Sequence, residues 1–298
     1  MLSILIPTFN YNTLPLVEAL HWQAVKESIE FEIIVSDDAS DDLDIQQMNK
    51  AINLIPNCSF FVNSENLGRG KNRNLLLSKA RYSWILLMDC DTMPRDSFFI
   101  KNYLDAIKSK LGSALFGGII YEEKTPNDEE MLRWVYGTKR ESIPVQIRKK
   151  EPHRYALISN MLLKKELLLA YPFHAEIYQY GFEDIVFILE LKKKNIEIGH
   201  VENPTFHLNL EKSSTFLEKY HSSLRNLKFL IDSKIISTSD TDFTKFYEKI
   251  KRYKLESLVV FGFKIFETKF TKNLLSKNPS LLVFDLYRLG YFCKINKR

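Results

Sequence analysis

The sequence predicts an α/β protein with a mostly parallel central sheet flanked by helices, followed by a helical C-terminal extension. Four short apolar runs without polar alternation have the pattern of strands buried on both faces, and segments of helical period separate them. The runs are residues 2–6, 31–35, 58–62 and 83–88. Strands that alternate with helices at this spacing indicate parallel pairing through crossover helices. After residue 211 only helical periodicity remains, which predicts the extension.

Length and composition limit the kinds of protein that this chain can be. Its 298 residues, 45% hydrophobic and 27% charged, are ordinary for a globular protein with a sizeable core. Three dispersed cysteines do not suit a disulfide framework or a zinc cluster. No apolar run reaches the roughly 18 residues of a membrane span, and the first residues do not resemble a signal peptide. We therefore expect a cytoplasmic protein.

The net charge of +5 is unevenly distributed along the chain. Residues 212–298 carry net +10, whereas residues 1–211 carry net −5. The basic part contains apolar helices predicted at 254–268 and 279–293, a combination that suits peripheral docking on the anionic inner face of the plasma membrane. Packing of these helices on the rest of the chain, or on a second subunit in a homodimer, stays an open alternative. Nucleic-acid binding is disfavoured, because the basic excess lies in an aromatic, apolar region without an RNA-binding signature.

Polar clusters follow three of the predicted strands at the point where each ends. They are residues 7–10, 37–40 and 89–91. Ligands of open parallel sheets bind at the carboxyl ends of the strands, so we expect the clusters to form one site. Each cluster alone is also explained as a loop or a helix cap.

The third cluster contains Asp89 and Asp91, one residue apart. Positions i and i+2 of a strand share a face, so both carboxylates project to the same side. Two carboxylates this close repel each other unless a cation or hydrogen-bond donors offset their charge. Mn²⁺ or Mg²⁺ is the natural candidate, and an Asp-rich turn is the alternative.

Segment 66–74 brings glycines and three cations, Arg69, Lys71 and Arg73, to the start of a predicted helix. This arrangement suits phosphate. It is neither a Walker loop nor a dinucleotide fingerprint, since the Gly-Lys-Ser/Thr ending and the third glycine are missing. A solvated basic helix start is the alternative.

Five segments resemble, in order and spacing, the successive signatures of family 2 glycosyltransferases. They are residues 3–10, 33–41, 66–74, 87–91 and 180–184. The resemblance covers about residues 2–210. It implies a GT-A fold over residues 1–211, with a nucleotide-binding half at 1–94 and a sugar- and acceptor-binding half at 95–211, and it leaves 212–298 as the basic helical extension. Ala39 and Asn72 depart from the family pattern, in which Gly and Ala are usual.

The resemblance also implies roles for individual residues. Asp184 is the general base, and Asp91 binds the metal, with His207 as a candidate to complete the metal site. The residues implied around the nucleotide are Pro7, Thr8, Phe9, Asn10, Asp37, Asp38, Ser40, Arg73 and Asp89. Those implied around the sugar or acceptor are Asn160 and Glu183. Independently of the resemblance, Trp134 and Tyr178 are aromatic residues that could stack on a sugar ring. Such aromatics are more often core residues, and a lone histidine at a strand end is usually structural.

In the acceptor half, residues 116–121 predict one strand with a close-packed glycine pair. Residues 142–154 are polar and basic and predict a flexible flap.

These expectations describe an inverting, metal-dependent glycosyltransferase. A single base opposite the leaving group gives one displacement with inversion, whereas a retaining path needs a nucleophile. The expected reaction moves a hexosyl or N-acetylhexosaminyl group, from a UDP-sugar in the first instance, to a glycan or lipid-linked acceptor in cell-surface polysaccharide synthesis. One alternative is a nucleotidyltransferase that makes sugar nucleotides. It would show a Gly-rich N-terminal loop with Arg and Lys, which residues 7–10 lack. The other is a non-catalytic carbohydrate- or nucleotide-binding module, against which Asp89, Asp91 and Asp184 count. The sequence leaves the donor sugar, the base, the acceptor and the linkage open.

Overall fold

The structure, a computed structural model, describes residues 1–177 and 181–297. The chain forms two compact units. The described residues of the first unit are 1–122, 140–177 and 183–209, and those of the second are 123–139, 181–182 and 210–297. Segment 123–139, assigned from the sequence to the sugar and acceptor half, thus lies in the second unit.

The described residues form ten strands, all in the first unit. They are β1 (Leu2–Thr8), β2 (Phe31–Asp37), β3 (Cys58–Val62), β4 (Trp84–Met88), β5 (Thr92–Pro94), β6 (Ala114–Phe116), β7 (Ile119–Ile120), β8 (Asn160–Lys164), β9 (Gly199–His200) and β10 (Thr205–His207).

Thirteen α-helices lie in the described part of the chain. They are α1 (Leu14–Lys26), α2 (Leu43–Asn49), α3 (Arg69–Lys79), α4 (Phe99–Lys108), α5 (Met131–Tyr136), α6 (Val145–Arg148), α7 (Pro152–Tyr155), α8 (Lys165–Ala170), α9 (Glu183–Lys193), α10 (Ser213–Asp232), α11 (Asp242–Arg252), α12 (Glu256–Leu274) and α13 (Leu281–Asn296). Short 3₁₀ segments at Lys50–Leu54 and Asp128–Glu130 and a π-helical turn at Gly137–Glu141 complete the described elements.

The central sheet has seven strands in the order β3-β2-β1-β4-β8-β6-β9. Strands β1 to β4 pair in parallel, β6 pairs with β9 in parallel, and β8 is antiparallel to both of its neighbours. The mostly parallel sheet confirms the predicted fold class.

The apolar runs are buried on both faces because helices cover each face. Alternate residues of β1 belong to different clusters: Ile4 and Ile6 pack with residues of α1 and α4, whereas Leu5 packs with residues of α3 and α9. This two-sided burial explains why the sequences of these strands are continuously apolar, without alternating polar residues.

A second sheet of three strands, in the order β5-β10-β7, was not predicted. The predicted single strand at 116–121 is wrong, because it is two strands, β6 and β7, in two different sheets. The chain turns between them at Gly117 and Gly118: a Cβ at Gly117 would lie 2.4 Å from the Asn203 carbonyl oxygen, and Gly118 has φ of +106°. Glycine alone fits such a close backbone approach.

The predicted flap at 142–154 is instead partly helical, in α6 and α7, and anchored by Arg148. This side chain is 2% exposed and donates hydrogen bonds to the backbone oxygens of Ile143, Phe116 and Gly117. A buried guanidinium with several acceptors fixes the segment in one position.

The second unit is helical, as expected for the C-terminal extension, and has its own apolar core. Phe216, Phe263, Phe284 and Tyr287 are central to it. Helices α12 and α13 pack closely, since a Cβ at Gly290 would lie 2.4 Å from the ring of Phe263. Among the helices of residues 1–177 and 181–297, none combines the length with the apolar composition of a transmembrane segment.

Candidate active site

The polar clusters that follow β1 and β2 lie side by side at the carboxyl edge of the central sheet. Thr8 is the register partner of Asp37. The Asn10 backbone N–H donates to Ser40 Oγ over 2.7 Å, and Asn10 Nδ2 donates to Asp41 Oδ1 over 2.5 Å. Phe9 keeps 48% of its surface exposed, so its ring is available to stack on a planar ligand.

Asp38 connects β2 to the loop before α3. Its Oδ1 accepts from the Leu67 N–H over 2.8 Å and its Oδ2 from the Gly68 N–H over 2.9 Å. Charged acceptors form strong hydrogen bonds with backbone donors, so Asp38 fixes the point at which α3 starts. Neither residue type nor spacing in the sequence indicated this bond.

Asp37 has a different environment, although it is adjacent. Its Oδ1 accepts from the Ser40 N–H over 2.7 Å, while Oδ2 is buried and accepts no hydrogen bond from a described residue. The acid pair 37–38 therefore holds two separate loops in place.

Arg73, on α3, connects two acids that are far apart in sequence. Its Nη2 lies 3.0 Å from Asp89 Oδ1, and its Nη1 lies 2.5 Å from Asp184 Oδ1. The side chain is 1% exposed, and its guanidinium lies over the ring of Phe173, 5.3 Å from the centroid. The sequence placed Arg73 near the base or the diphosphate, and that contact stays a prediction.

The two acids that share Arg73 have pKa values shifted in opposite directions. Burial, together with the charges of Glu183 and Asp89, raises the pKa of Asp184 to about 6, against the attraction of Arg73 and Arg69. Burial also acts to raise the pKa of Asp89, but the charges of Arg73 and Arg69 and the hydrogen bond from Arg73 hold it below its ordinary value. At neutral pH Asp89 is a fixed anion, whereas Asp184 is an anion that readily takes a proton, as a general base must.

Asp91 does not take part in the Arg73 bridge and lies instead next to His207. The antiparallel pairing of β5 with β10 sets His207 opposite Thr92, and the Leu208 N–H donates to the Asp91 carbonyl over 2.8 Å. As a result His207 Nε2 lies 3.6 Å from Asp91 Oδ2. The His207 ring stacks on the ring of Tyr121 with centroids 5.4 Å apart.

The Asp91 and His207 pair fits a metal ion that completes its coordination with ligand oxygens. Across the described ranges, no group of three His, Cys, Asp or Glu side chains could hold an ion without help. Mg²⁺ and similar ions are commonly held by one or two protein ligands together with phosphate oxygens and waters. Oxygen ligands are preferred by Mn²⁺, and the imidazole of His207 would be a second, nitrogen ligand. The donor set therefore matches an ion that binds together with a diphosphate.

Cys90 separates the two acids but is not a nucleophile. Burial, with the neighbouring charge of Asp91, raises the pKa of its thiol to about 12. At neutral pH it is an uncharged thiol.

Two of the residues predicted around the sugar, Asn160 and Glu183, lie in the first unit and are buried. Asn160 is fully buried: its Nδ2 donates to the backbone oxygens of Gly118 and Asn203, each over 2.9 Å, and its Oδ1 accepts from Tyr103. Contact with the donor stays a prediction that requires these bonds to open. Glu183 is buried, with Oε1 3.8 Å from Arg69 Nη1.

Two aromatic residues were predicted to stack on a sugar. Trp134 belongs to α5 of the second unit, and Tyr178 lies outside the described residues. Their roles stay predictions.

The family described as Glycosyl transferase family 2 matches residues 3–170 of this chain. The chain belongs to that family. The family 2 resemblance and the GT-A fold predicted from the sequence are confirmed. The matched range ends before Asp184 and His207, so the assignments of the base and of the second metal ligand stay predictions. The comparison with curated proteins gave no match.

Solved glycosyltransferases share the fold of this family 2 chain. TarS from S. aureus has 18% identity and a TM-score of 0.54, over 97% of this chain and 54% of that one. TarS 1-349 in complex with UDP-GlcNAc has 20% identity and a TM-score of 0.50, over 77% and 66%. The mannosyltransferase PcManGT from Pyrobaculum calidifontis, in complex with GDP-Man and Mn²⁺, has 14% identity and a TM-score of 0.51, over 78% and 64%. The chain thus spans 54% to 66% of the length of these structures.

Proposed function

We propose that this chain transfers a sugar from a nucleotide-sugar donor to a hydroxyl group, with inversion at the anomeric carbon. The observation that carries the proposal is the grouping of Asp184, Arg73, Asp89, Asp91 and His207 in one unit at the carboxyl edge of the sheet. It combines a base of raised pKa with anion- and metal-binding groups, which are the parts that glycosyl transfer needs.

The donor would bind through the groups that follow β1, β2 and β4. The exposed ring of Phe9 would stack on the base, and Asp89, ionised and held by Arg73, would accept from the ribose hydroxyls. Asp91 and His207 would hold Mn²⁺ or Mg²⁺, which offsets the negative charge of the diphosphate when bound. The complex of TarS with UDP-GlcNAc supports a UDP-linked hexosyl or N-acetylhexosaminyl group as the first choice. The complex of PcManGT with GDP-Man supports a GDP-linked hexosyl group as the second.

Asp184 would take the proton of the acceptor hydroxyl. The bond from the acceptor oxygen to the anomeric carbon forms while the bond from that carbon to the diphosphate oxygen breaks, and the electron pair leaves with the nucleoside diphosphate. Attack from the side opposite the leaving group inverts the configuration. Arg73 would hold Asp184 in position, since its guanidinium is bonded to Asp184 and Asp89 at once.

The proposed acceptor is a glycan or a lipid-linked saccharide of cell-surface polysaccharide synthesis, used at the inner face of the plasma membrane. The excess of basic charge in residues 212–298 supports this location, because anionic lipids attract such segments.

Release of nucleoside diphosphate tests the proposal. Wild-type protein with Mn²⁺ should release the nucleoside diphosphate from at least one of UDP-GlcNAc, UDP-Glc, GDP-Man and dTDP-Glc, slowly with water and faster with an acceptor saccharide. Asp184→Asn should lose the acceptor-dependent rate. Absence of release from every donor would favour a non-catalytic binding module.

A further inference from the structure

The second unit carries an apolar stripe on α12 that the fold does not cover. Leu258, Phe261 and Ile265 follow one another at i, i+3 and i+7, so they lie on one face of the helix. Their side chains are 64%, 63% and 56% exposed. Three large apolar side chains side by side on a surface indicate an interaction site.

The opposite face of α12 accounts for its packing within the unit. Val260, Phe263 and Leu274 are buried there, and Phe263 lies against Gly290 of α13. The stripe is therefore not needed for the fold of the unit, and it points away from α13.

The charges of α12 are divided between the same two faces. Its two acids have partners inside the unit: Glu256 accepts from Tyr247 over 2.8 Å, and Glu267 lies 3.4 Å from Lys294. Lys264, Lys269 and Lys272, in contrast, are exposed.

The exposed lysines border the apolar stripe. Lys269 and Lys272 follow Ile265 at i+4 and i+7 and thus continue its face, while Lys264 lies at its edge. The outward face of α12 is therefore apolar in its first half and cationic in its second.

We propose that this outward face of α12, from Leu258 to Lys272, docks on a bilayer that contains anionic lipids. Apolar side chains that enter the interface, beside lysines that meet anionic headgroups, are the two contributions that hold an amphipathic helix on a membrane. Through this surface the enzyme proposed above would reach a lipid-linked acceptor. That benefit rests on the proposed function, whereas binding of the helix to lipid does not.

Two other occupants fit the face less well. A dimer through this face would cover the apolar residues but would give the lysines no anionic partner, because the same face of a second copy carries no acid. Nucleic acid would pair with the lysines but would leave Leu258, Phe261 and Ile265 against a polyanionic surface with no apolar partner.

Vesicle flotation of the full chain tests the proposal. Wild type should float with vesicles of phosphatidylcholine and phosphatidylglycerol, should remain unbound with phosphatidylcholine alone, and should bind far less in 1 M NaCl, which screens charges beyond about 3 Å. The variant Leu258→Gln/Phe261→Gln/Ile265→Gln should bind anionic vesicles at least tenfold less. Lys264→Gln/Lys269→Gln/Lys272→Gln should show a loss of similar size.

A matched variant controls for the removal of exposed apolar side chains in general. Met48→Gln/Leu54→Gln/Leu169→Gln replaces three exposed apolar residues of the first unit and should bind vesicles as wild type does. All three variants should keep wild-type melting temperatures and wild-type donor hydrolysis. Absence of donor hydrolysis by wild type itself would count against the proposed function and not against docking.

Three results would overturn the docking proposal. One is equal vesicle binding by wild type and the stripe variant. Another is the absence of binding by wild type. The third is a different partner for this face, seen as a dimer in sedimentation or as a complex with an oligonucleotide. In that case the stripe variant would lose the dimer or the complex but would bind vesicles as wild type does.

Discussion

Asp184 and Asp89 share one arginine, but their replacement by asparagine should have different effects on how stability depends on pH. The pKa of Asp184 is raised to about 6 and that of Asp89 is lowered. A raised pKa means that the folded protein binds the proton more tightly than the unfolded chain does. Protonation of Asp184 therefore adds stability that is fully present below pH 3.8, the ordinary value, and is lost as the pH rises through about 6.

The size of the effect follows from the shift. A pKa of about 6 against 3.8 contributes roughly 1.4 kcal/mol at pH 5 and almost nothing at pH 8. Because about a quarter of the Asp184 side chain is exposed, solvent screening reduces the expected change to about 1 kcal/mol. In wild type this stability disappears between pH 5 and pH 8. In Asp184→Asn no proton binds at this position, so the variant should gain about 1 kcal/mol relative to wild type over the same range.

Asp89→Asn provides the comparison. A lowered pKa stabilises the fold above the ordinary value, and this stability is lost only as the pH falls through the lower, folded value. The variant loses a hydrogen bond between two charged groups and should be less stable by about 1–2 kcal/mol at both pH 5 and pH 8.

Urea unfolding of the three proteins at pH 5 and pH 8, with transfer activity measured in parallel, is the assay. We expect Asp184→Asn to be folded, inactive and relatively more stable at pH 8. An Asp184→Asn protein that transfers sugar normally, or that loses 2 kcal/mol or more between pH 5 and pH 8 relative to wild type, would refute the reasoning about this carboxylate.

Three further predictions concern the same unit. The value of kcat/KM should fall about tenfold for each pH unit below about 6, because only the deprotonated Asp184 accepts a proton; a rate that is level from pH 4.5 to 8 would contradict this. His207→Ala should raise the Mn²⁺ concentration for half-maximal activity by at least about tenfold. Loss of a residue that only hydrogen-bonds to a metal ligand already lowers metal affinity by about 10–100-fold. An unchanged Mn²⁺ requirement would show that His207 is not a metal ligand. Asn160→Ala leaves buried partners of its amide unpaired and should lower the free energy of unfolding by about 2–4 kcal/mol. The control, Asn278→Ala at an exposed position, should change it by less than about 0.5 kcal/mol. Equal stability of the two variants would contradict the structural role of the Asn160 hydrogen bonds.

The central sheet was predictable because its signals are local. Strands β1 to β4 are short apolar runs, and each of the polar clusters after β1, β2 and β4 follows directly on its strand. The parallel pairing then brings the clusters to one edge, as the register of Thr8 with Asp37 illustrates.

The bridge through Arg73 could not be predicted from the sequence. Arg73 and Asp184 are 111 positions apart, and no residue type or spacing indicates that α3 and α9 meet at these two side chains. The small sheet was missed for a similar reason. Its strands β7 and β10 have two and three residues, too few for a period to be recognised, yet β10 is what sets His207 beside Asp91.

Glycine positions explain the incorrect strand at 116–121. An apolar run with two glycines has the sequence pattern of one strand. In the structure, Gly117 approaches the backbone of Asn203 closely and Gly118 has a positive φ, so the chain turns at these glycines. Such contacts depend on a segment more than 80 positions away and leave no local signal.

The central claim is that this family 2 chain binds a nucleotide sugar with a divalent ion at the edge formed by Asp37, Asp89 and Asp91. Calorimetric titration of wild type with UDP-GlcNAc, GDP-Man and dTDP-Glc, each with and without Mn²⁺, tests it most directly. We predict that at least one donor binds with one-to-one stoichiometry, at least tenfold more tightly with Mn²⁺, and that Asp91→Asn abolishes the effect of the ion. Folded wild-type protein that binds none of these nucleotide sugars, with or without Mn²⁺, would contradict the claim.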